Sequence, residues 1–155
     1  MIPTEESKVK NDFINNLAVQ ENITIFLNTY GSLYAINNET LRINWFLNLN
    51  ENQDINPSNL FNGRELISSN EYVIVSSEDA TYVINPLSGA IIRKFNIISK
   101  IKPLIIKNHL FLVSPNNLLI CINIKTSEII YSLNINKKIA EFFEIKQETG
   151  VFEDI

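Results

Sequence analysis

His109 and Cys121 are the only histidine and the only cysteine in a chain of 155 residues. That pair is too few for a disulfide framework or for a His/Cys zinc centre within one chain. A catalytic histidine needs a nucleophile and an orienting acid within reach. No Gly-x-Ser-x-Gly elbow is present, and His109 stands at the edge of the apolar run Leu110-Phe111-Leu112-Val113. It reads as a hairpin-edge residue. Cys121 lies inside Leu119–Ile124 and reads as a buried, inert thiol. Glu78 and Asp79 are adjacent in a turn, so they cannot flank a substrate as an acid–base pair. No Asp-x-Asp-x-Asp-Gly calcium loop occurs. The expectation is therefore no catalytic residue, no metal ligand, no cofactor site and no enzyme.

Contact chemistry is better represented. Residues 51–64 are polar, hold Pro57 and Gly63, and read as a surface loop. Leu60, Phe61 and Arg64 lie near one another on it. Apolar groups beside an arginine are a common contact composition, so these three are the candidate partner-binding residues.

The composition narrows the classes. Hydrophobic residues make up 45% and charged residues 19%, enough for a packed core. The formal net charge is -4, and no dense basic patch suggests a nucleic-acid partner. No apolar run approaches the roughly 18 residues that span a bilayer. Residues 1–16 are charged, lack the apolar stretch of a secretory signal, and carry no lipid-anchor cysteine. Ile, Asn and Lys are all frequent, so an isolated Asn carries little weight.

The elements that position these residues come from a repeat. Asn37, Asn85 and Asn123 each follow a β-type tetrad: Leu33-Tyr34-Ala35-Ile36, Thr81-Tyr82-Val83-Ile84 and Leu119-Ile120-Cys121-Ile122. Around these anchors, residues 17–50, 65–98 and 103–136 align without gaps. Three columns are Asn throughout: Asn22/Asn70/Asn108, the anchors, and Asn48/Asn96/Asn134. Ile36/Ile84/Ile122 and Ile43/Ile91/Ile129 are constant, and Leu27/Val75/Val113 keep their character. The 51–64 connector is an insertion relative to residues 99–102. Each unit splits into four short runs rich in Val, Ile, Tyr and Phe, separated by Asn, Ser, Asp, Pro or Gly. In the second copy these are Leu66–Ser69, Tyr72–Ser76, Thr81–Asn85 and Ile91–Ile97. Four antiparallel strands repeating about every 40 residues predict an all-β chain of β-propeller blades. A β-sandwich would not need the same turn chemistry at one offset three times.

The first copy reads Tyr30-Gly31-Ser32-Leu33-Tyr34-Ala35-Ile36-Asn37, then Thr40 and Trp45. The second offers Tyr82-Val83-Ile84-Asn85 and Ser88-Gly89; the third offers Leu119, Ile122-Asn123 and Thr126-Ser127. This pattern resembles the pyrroloquinoline-quinone-type (PQQ-like) propeller repeat over about 17–136. Asn replaces that family's Asp at all three anchors, the turn Gly remains only as Gly89, and Arg93 and Tyr131 share the column of Trp45. By that resemblance Trp45 docks neighbouring blades. Within the family the repeats look most like those of BamB-type outer-membrane assembly lipoproteins. The resemblance implies a non-catalytic periplasmic scaffold, associated with the outer membrane, whose partner is the barrel-insertion protein. The alternatives are a blade segment of a PQQ-dependent dehydrogenase, or a carbohydrate-binding propeller that exposes Trp45 and Tyr34 together. The dehydrogenases of this family hold their quinone with adjacent cysteines and acidic calcium ligands, equipment this chain lacks.

Closed propellers have about four to eight blades. Three are legible here, so the chain is expected to be part of a larger ring or to self-associate through open blade edges. Residues 137–155 are expected to start a further blade, with Phe142-Phe143-Glu144-Ile145 as a strand and Glu148-Thr149-Gly150 as a turn.

Overall fold

The computed structural model describes residues 16–50, 63, 66–77 and 79–149, with side chains of the last helix described to residue 144. Among the described residues, twelve strands and one helix follow in order. The strands are β1 (Asn16–Val19), β2 (Ile23–Leu27), β3 (Ser32–Asn37), β4 (Ile43–Asn48), β5 (Ile67–Ser68), β6 (Val73–Ser76), β7 (Thr81–Ile84), β8 (Ile91–Phe95), β9 (Leu104–Ile106), β10 (His109–Val113), β11 (Leu118–Asn123) and β12 (Ile129–Asn134). The helix α1 is Ile135–Thr149. The strands form three antiparallel meanders of four, β1–β4, β5–β8 and β9–β12, here termed blades 1, 2 and 3.

The turns explain why the blades repeat. Each anchor asparagine folds back on its own main chain, as Asn does in Asx turns. Asn37 Oδ1 accepts from the amides of Glu39 and Thr40 at 3.0 and 2.8 Å. Asn85 does the same for Leu87 and Ser88, and Asn123 for Lys125 and Thr126. In each blade the next bond closes i→i+4: Leu41 N–H to Asn37 O, Gly89 N–H to Asn85 O, Ser127 N–H to Asn123 O. The closing residue has φ of 55°, 72° and 66° respectively. This chemistry needs an acceptor oxygen at a fixed position, and the Asn amide supplies it in place of a carboxylate.

A β-bulge also recurs three times. Ala35 faces Trp45 but Ile36 faces Ile43; Val83 faces Arg93 but Ile84 faces Ile91; Cys121 faces Tyr131 but Ile122 faces Ile129. One extra residue is thus looped out just before Trp45, Arg93 and Tyr131. Bulges bend a strand and re-aim its side chains.

The cores lie between blades. Blade 1 turns Ile25, Leu27, Leu33 and Ala35 toward Val73, Val75, Tyr82 and Ile84 of blade 2. Blade 2 turns Ile74 and Val83 toward Leu110, Leu112, Ile120 and Ile122 of blade 3. Blade 2 is therefore covered on both sides, and every residue of β6 and β7 is buried. Its strands are continuously apolar or small for that reason, without the alternation of a one-sided sheet.

Two features differ from the sequence reading. The gapless alignment slips by one residue in the first half of blade 2. Leu27 pairs with Leu33 and Val113 with Leu119, whereas Ser76, not Val75, pairs with Thr81. The β6–β7 hairpin is one residue shorter than its counterparts, so Asn70 is out of step with Asn22 and Asn108. The second difference is at the end of the chain. Residues 142–145, expected as a strand, lie within α1. Asn134 caps this helix by accepting the Lys137 amide at 3.0 Å. Lys, Ala, Glu and Phe follow with apolar residues at 135, 139, 142 and 143, a helical spacing that outweighs the strand propensity of the two phenylalanines. Lys138 and Glu141 pair across one turn at 2.7 Å.

Candidate interaction surface

The bulged column builds the joints between blades. Trp45 Nε1–H donates to the Pro86 carbonyl at 2.8 Å, and the indole is 9% exposed. It lies on Gly89, where a Cβ would stand 2.6 Å from the ring. Arg93 does the equivalent work one blade on. Its Nε donates to Ser127 Oγ at 2.8 Å, and a terminal nitrogen donates to the Lys125 carbonyl at 3.2 Å. Both side chains thus grip the i→i+4 turn of the following blade. Other bridges join the same pairs: the Gln20 amide donates to Ser68 Oγ and to the Ser69 carbonyl, and Tyr72 OH donates to Asn108 Oδ1 at 3.2 Å. Burial and the neighbouring Glu71 charge push the Tyr72 phenol up.

Tyr131, third in this column, is 38% exposed. Around it the outer face of blade 3 carries half-buried Phe111, Val113 and Leu119, with exposed Leu133. The helix extends this surface. Leu119, Leu133, Ile135, Ile139, Phe142 and Phe143 line an open apolar groove, with Lys138 at its edge. At the other end of the stack, blade 1 presents Phe26, Tyr34 and Phe46. Their rings form a ladder with centroids 6.3 and 5.0 Å apart, and Phe46 is 55% exposed. Contiguous apolar surface of this kind marks interaction sites.

The remaining candidates fall into structural places. Cys121 is buried opposite Tyr131; burial raises its thiol pKa, partly offset by a hydrogen bond to Tyr131. His109 begins β10, half-buried and paired with Asn123 and Ile106. Asp79 lies in the Ser77 turn, where its amide donates to Ser77 Oγ; Glu78 is outside the described residues. Leu60, Phe61 and Arg64 are also outside them. Among the described residues no group of His, Cys, Asp or Glu is placed to hold a metal ion, and no helix is long and apolar enough to cross a membrane. The carbohydrate-binding alternative required Trp45 and Tyr34 to be exposed together. They are not: Trp45 is buried between blades, and Tyr34 pairs with Phe46 on the opposite face of the sheet. Sequence reasoning missed the groove because it depends on α1. The signal was the Asn cap followed by i, i+4, i+7, i+8 apolar spacing.

No protein-family model matches the chain, and no curated protein matches it. Solved structures do. BamB from Moraxella catarrhalis aligns at a TM-score of 0.55 and 9% identity, over 75% of this chain and 38% of that one. The chain has a β-propeller fold. The computationally designed Ika4 protein aligns at 0.58 and 12% identity, over 80% of this chain and 74% of that one. A europium-containing methanol dehydrogenase aligns at 0.56 and 14% identity, over 75% of this chain and 23% of that one. The chain thus spans well under half the length of BamB and about a quarter of the dehydrogenase. The propeller's three sheets, β1–β4, β5–β8 and β9–β12, are consecutive blades of a partial ring.

Proposed function

We propose that this chain is a non-catalytic propeller scaffold that binds other proteins, with the periplasmic assembly of outer-membrane β-barrels as its setting. The observation that carries the reading is the apolar surface at both ends of the stack, against a polar complement engaged in holding the fold. The anchor asparagines close turns, Arg93 clamps a neighbouring blade, and Cys121 is buried. Among the described residues no buried side-chain nitrogen or oxygen lacks a hydrogen-bond partner, so none is left aimed into an empty site. Likeness to BamB supports the setting, and the partner is then the barrel-insertion protein of the outer membrane. Leu60, Phe61 and Arg64 are the loop residues proposed to add to that contact. The direct test is binding of the purified chain to the purified barrel-insertion protein. Saturable binding, weakened by Phe61→Ala and Arg64→Ala, supports the reading; no binding at high concentration overturns it.

A second reading, a blade segment of a quinone-dependent dehydrogenase, draws on the likeness to the methanol dehydrogenase. The single cysteine, Cys121, is buried in β11 and cannot supply an adjacent pair. Titration with the quinone in the presence of calcium, followed by absorbance, separates the two: a saturable spectral change favours the dehydrogenase.

A further inference from the structure

The two ends of the stack carry the features that meet at the joints inside it. Tyr131 stands opposite Cys121 as Trp45 stands opposite Ala35 and Arg93 opposite Val83, each after the same bulge. Trp45 and Arg93 each grip the next blade's turn; Tyr131, with no further blade beyond it among the described residues, is 38% exposed. At the opposite end, Tyr34 holds the pairing position that Tyr82 holds in blade 2. Tyr82 is 5% exposed because blade 1 covers it, whereas Tyr34 is half-exposed. The blade 1 turn Asn37–Leu41 carries the same i→i+4 bond as the two turns already gripped. One end therefore offers a docking side chain, and the other offers the turn and aromatic surface that such a side chain grips.

We infer that a second copy of this chain completes the stack. Blade 3 of each copy receives blade 1 of the other. Phe26, Tyr34 and Phe46 enter the groove beside Leu133 and α1, and Tyr131 reaches the Asn37–Leu41 turn. The occupant is a second copy because one chain presents both complementary faces, and because the joint continues an interface the chain already makes twice. α1 also stands directly after blade 3, where the chain elsewhere enters its next blade. Two copies give six blades, within the range of closed propellers, about four to eight. The pairing is head-to-tail, closed by a two-fold axis. It does not rest on the scaffold reading: where the pairing forms, it covers both end faces, and Leu60, Phe61 and Arg64 are left to carry the scaffold's contact.

The test is sedimentation equilibrium of the 155-residue chain and two variants, with Trp45 fluorescence reporting an intact fold. Wild type is expected at twice the 17.8 kDa of one chain. Phe46→Asp spoils only the blade 1 face and Leu133→Asp only the blade 3 face. Each alone should weaken pairing by about tenfold or more, the scale set by an unpaired charge in an apolar joint. Mixed together, they should form a heterodimer through the one joint left sound, tighter than either variant with itself. A wild-type monomer overturns the inference. So does a dimer sensitive to only one substitution, which marks a symmetric contact between like faces.

Discussion

The indole of Trp45 rests on the backbone of Gly89, 44 residues later in the sequence numbering, so closely that a Cβ there would stand 2.6 Å from Cε3 and 2.7 Å from Cδ2. One residue is large and the other bare for the same reason. Blade 1 reaches blade 2 by laying a flat aromatic over a turn whose φ of +72° already favours glycine.

Gly89→Ala should destabilise the protein by about 2–4 kcal/mol, from left-handed strain and overpacking together. Urea unfolding followed by Trp45 fluorescence measures it. A loss below that of an average surface substitution would contradict the described contact.

Trp45→Ala should cost about 3–5 kcal/mol, as for other buried aromatics. Trp45→Phe keeps most of the ring but leaves the Pro86 carbonyl without its donor, for a smaller loss of about 1–3 kcal/mol. The ordering of the two variants by circular dichroism melts is the readout.

Leu41 carries the same left-handed conformation as Gly89, at φ 55°, while 76% exposed. Leu41→Gly should therefore stabilise, by about 0.5 kcal/mol after the entropy cost of glycine. Ser127→Gly relieves the same strain but removes the Arg93 acceptor, so it should show less gain. Paired denaturation curves distinguish them.

At the anchors, Asn85→Asp should leave stability nearly unchanged at neutral pH, because the carboxylate offers the same acceptor to the Leu87 and Ser88 amides. Asn85→Ala should cost about 1 kcal/mol. Equal losses in both variants would show that the amide nitrogen, not the oxygen, matters.

Cys121 should resist thiol reagents at neutral pH until the protein unfolds. The sign of its pH effect follows from its raised pKa. The folded state holds the thiol proton beyond the ordinary thiol value of about 8.5, where the unfolded chain releases it. Stability is then lost as pH rises above that value, and the raised Tyr72 phenol adds to the loss at higher pH. Cys121→Ala should flatten the thiol part of the curve, measured as unfolding midpoint against pH.

Much of the blade architecture was legible because Asn37, Asn85 and Asn123 do local work: an acceptor two and three residues before the amides it satisfies leaves a mark at constant offset. The bulges were not legible. They depend on which residue of β4, β8 or β12 is skipped by its neighbour strand, and the skipped residues, Asn44, Ile92 and Ile130, carry no type that marks a bulge. The slip in blade 2 was hidden by Asn70, which matched the column by type while Ser76 took the place of Leu27. The helix was hidden by Asn134. Its amide fits the repeat column, yet in the fold it caps α1. The groove follows from that helix, whose apolar spacing is its one local mark; which faces stay open follows from packing at a distance, which no local pattern encodes.

Blade 2, enclosed by neighbours on either hand, has a consequence for how the molecule comes apart. Cooperativity here runs along one dimension, from unit to adjoining unit. In the unpaired chain, amide protons of β6 and β7 should exchange slowest, and those of the two flanking meanders sooner, so fraying proceeds inward from both extremities toward the middle sheet.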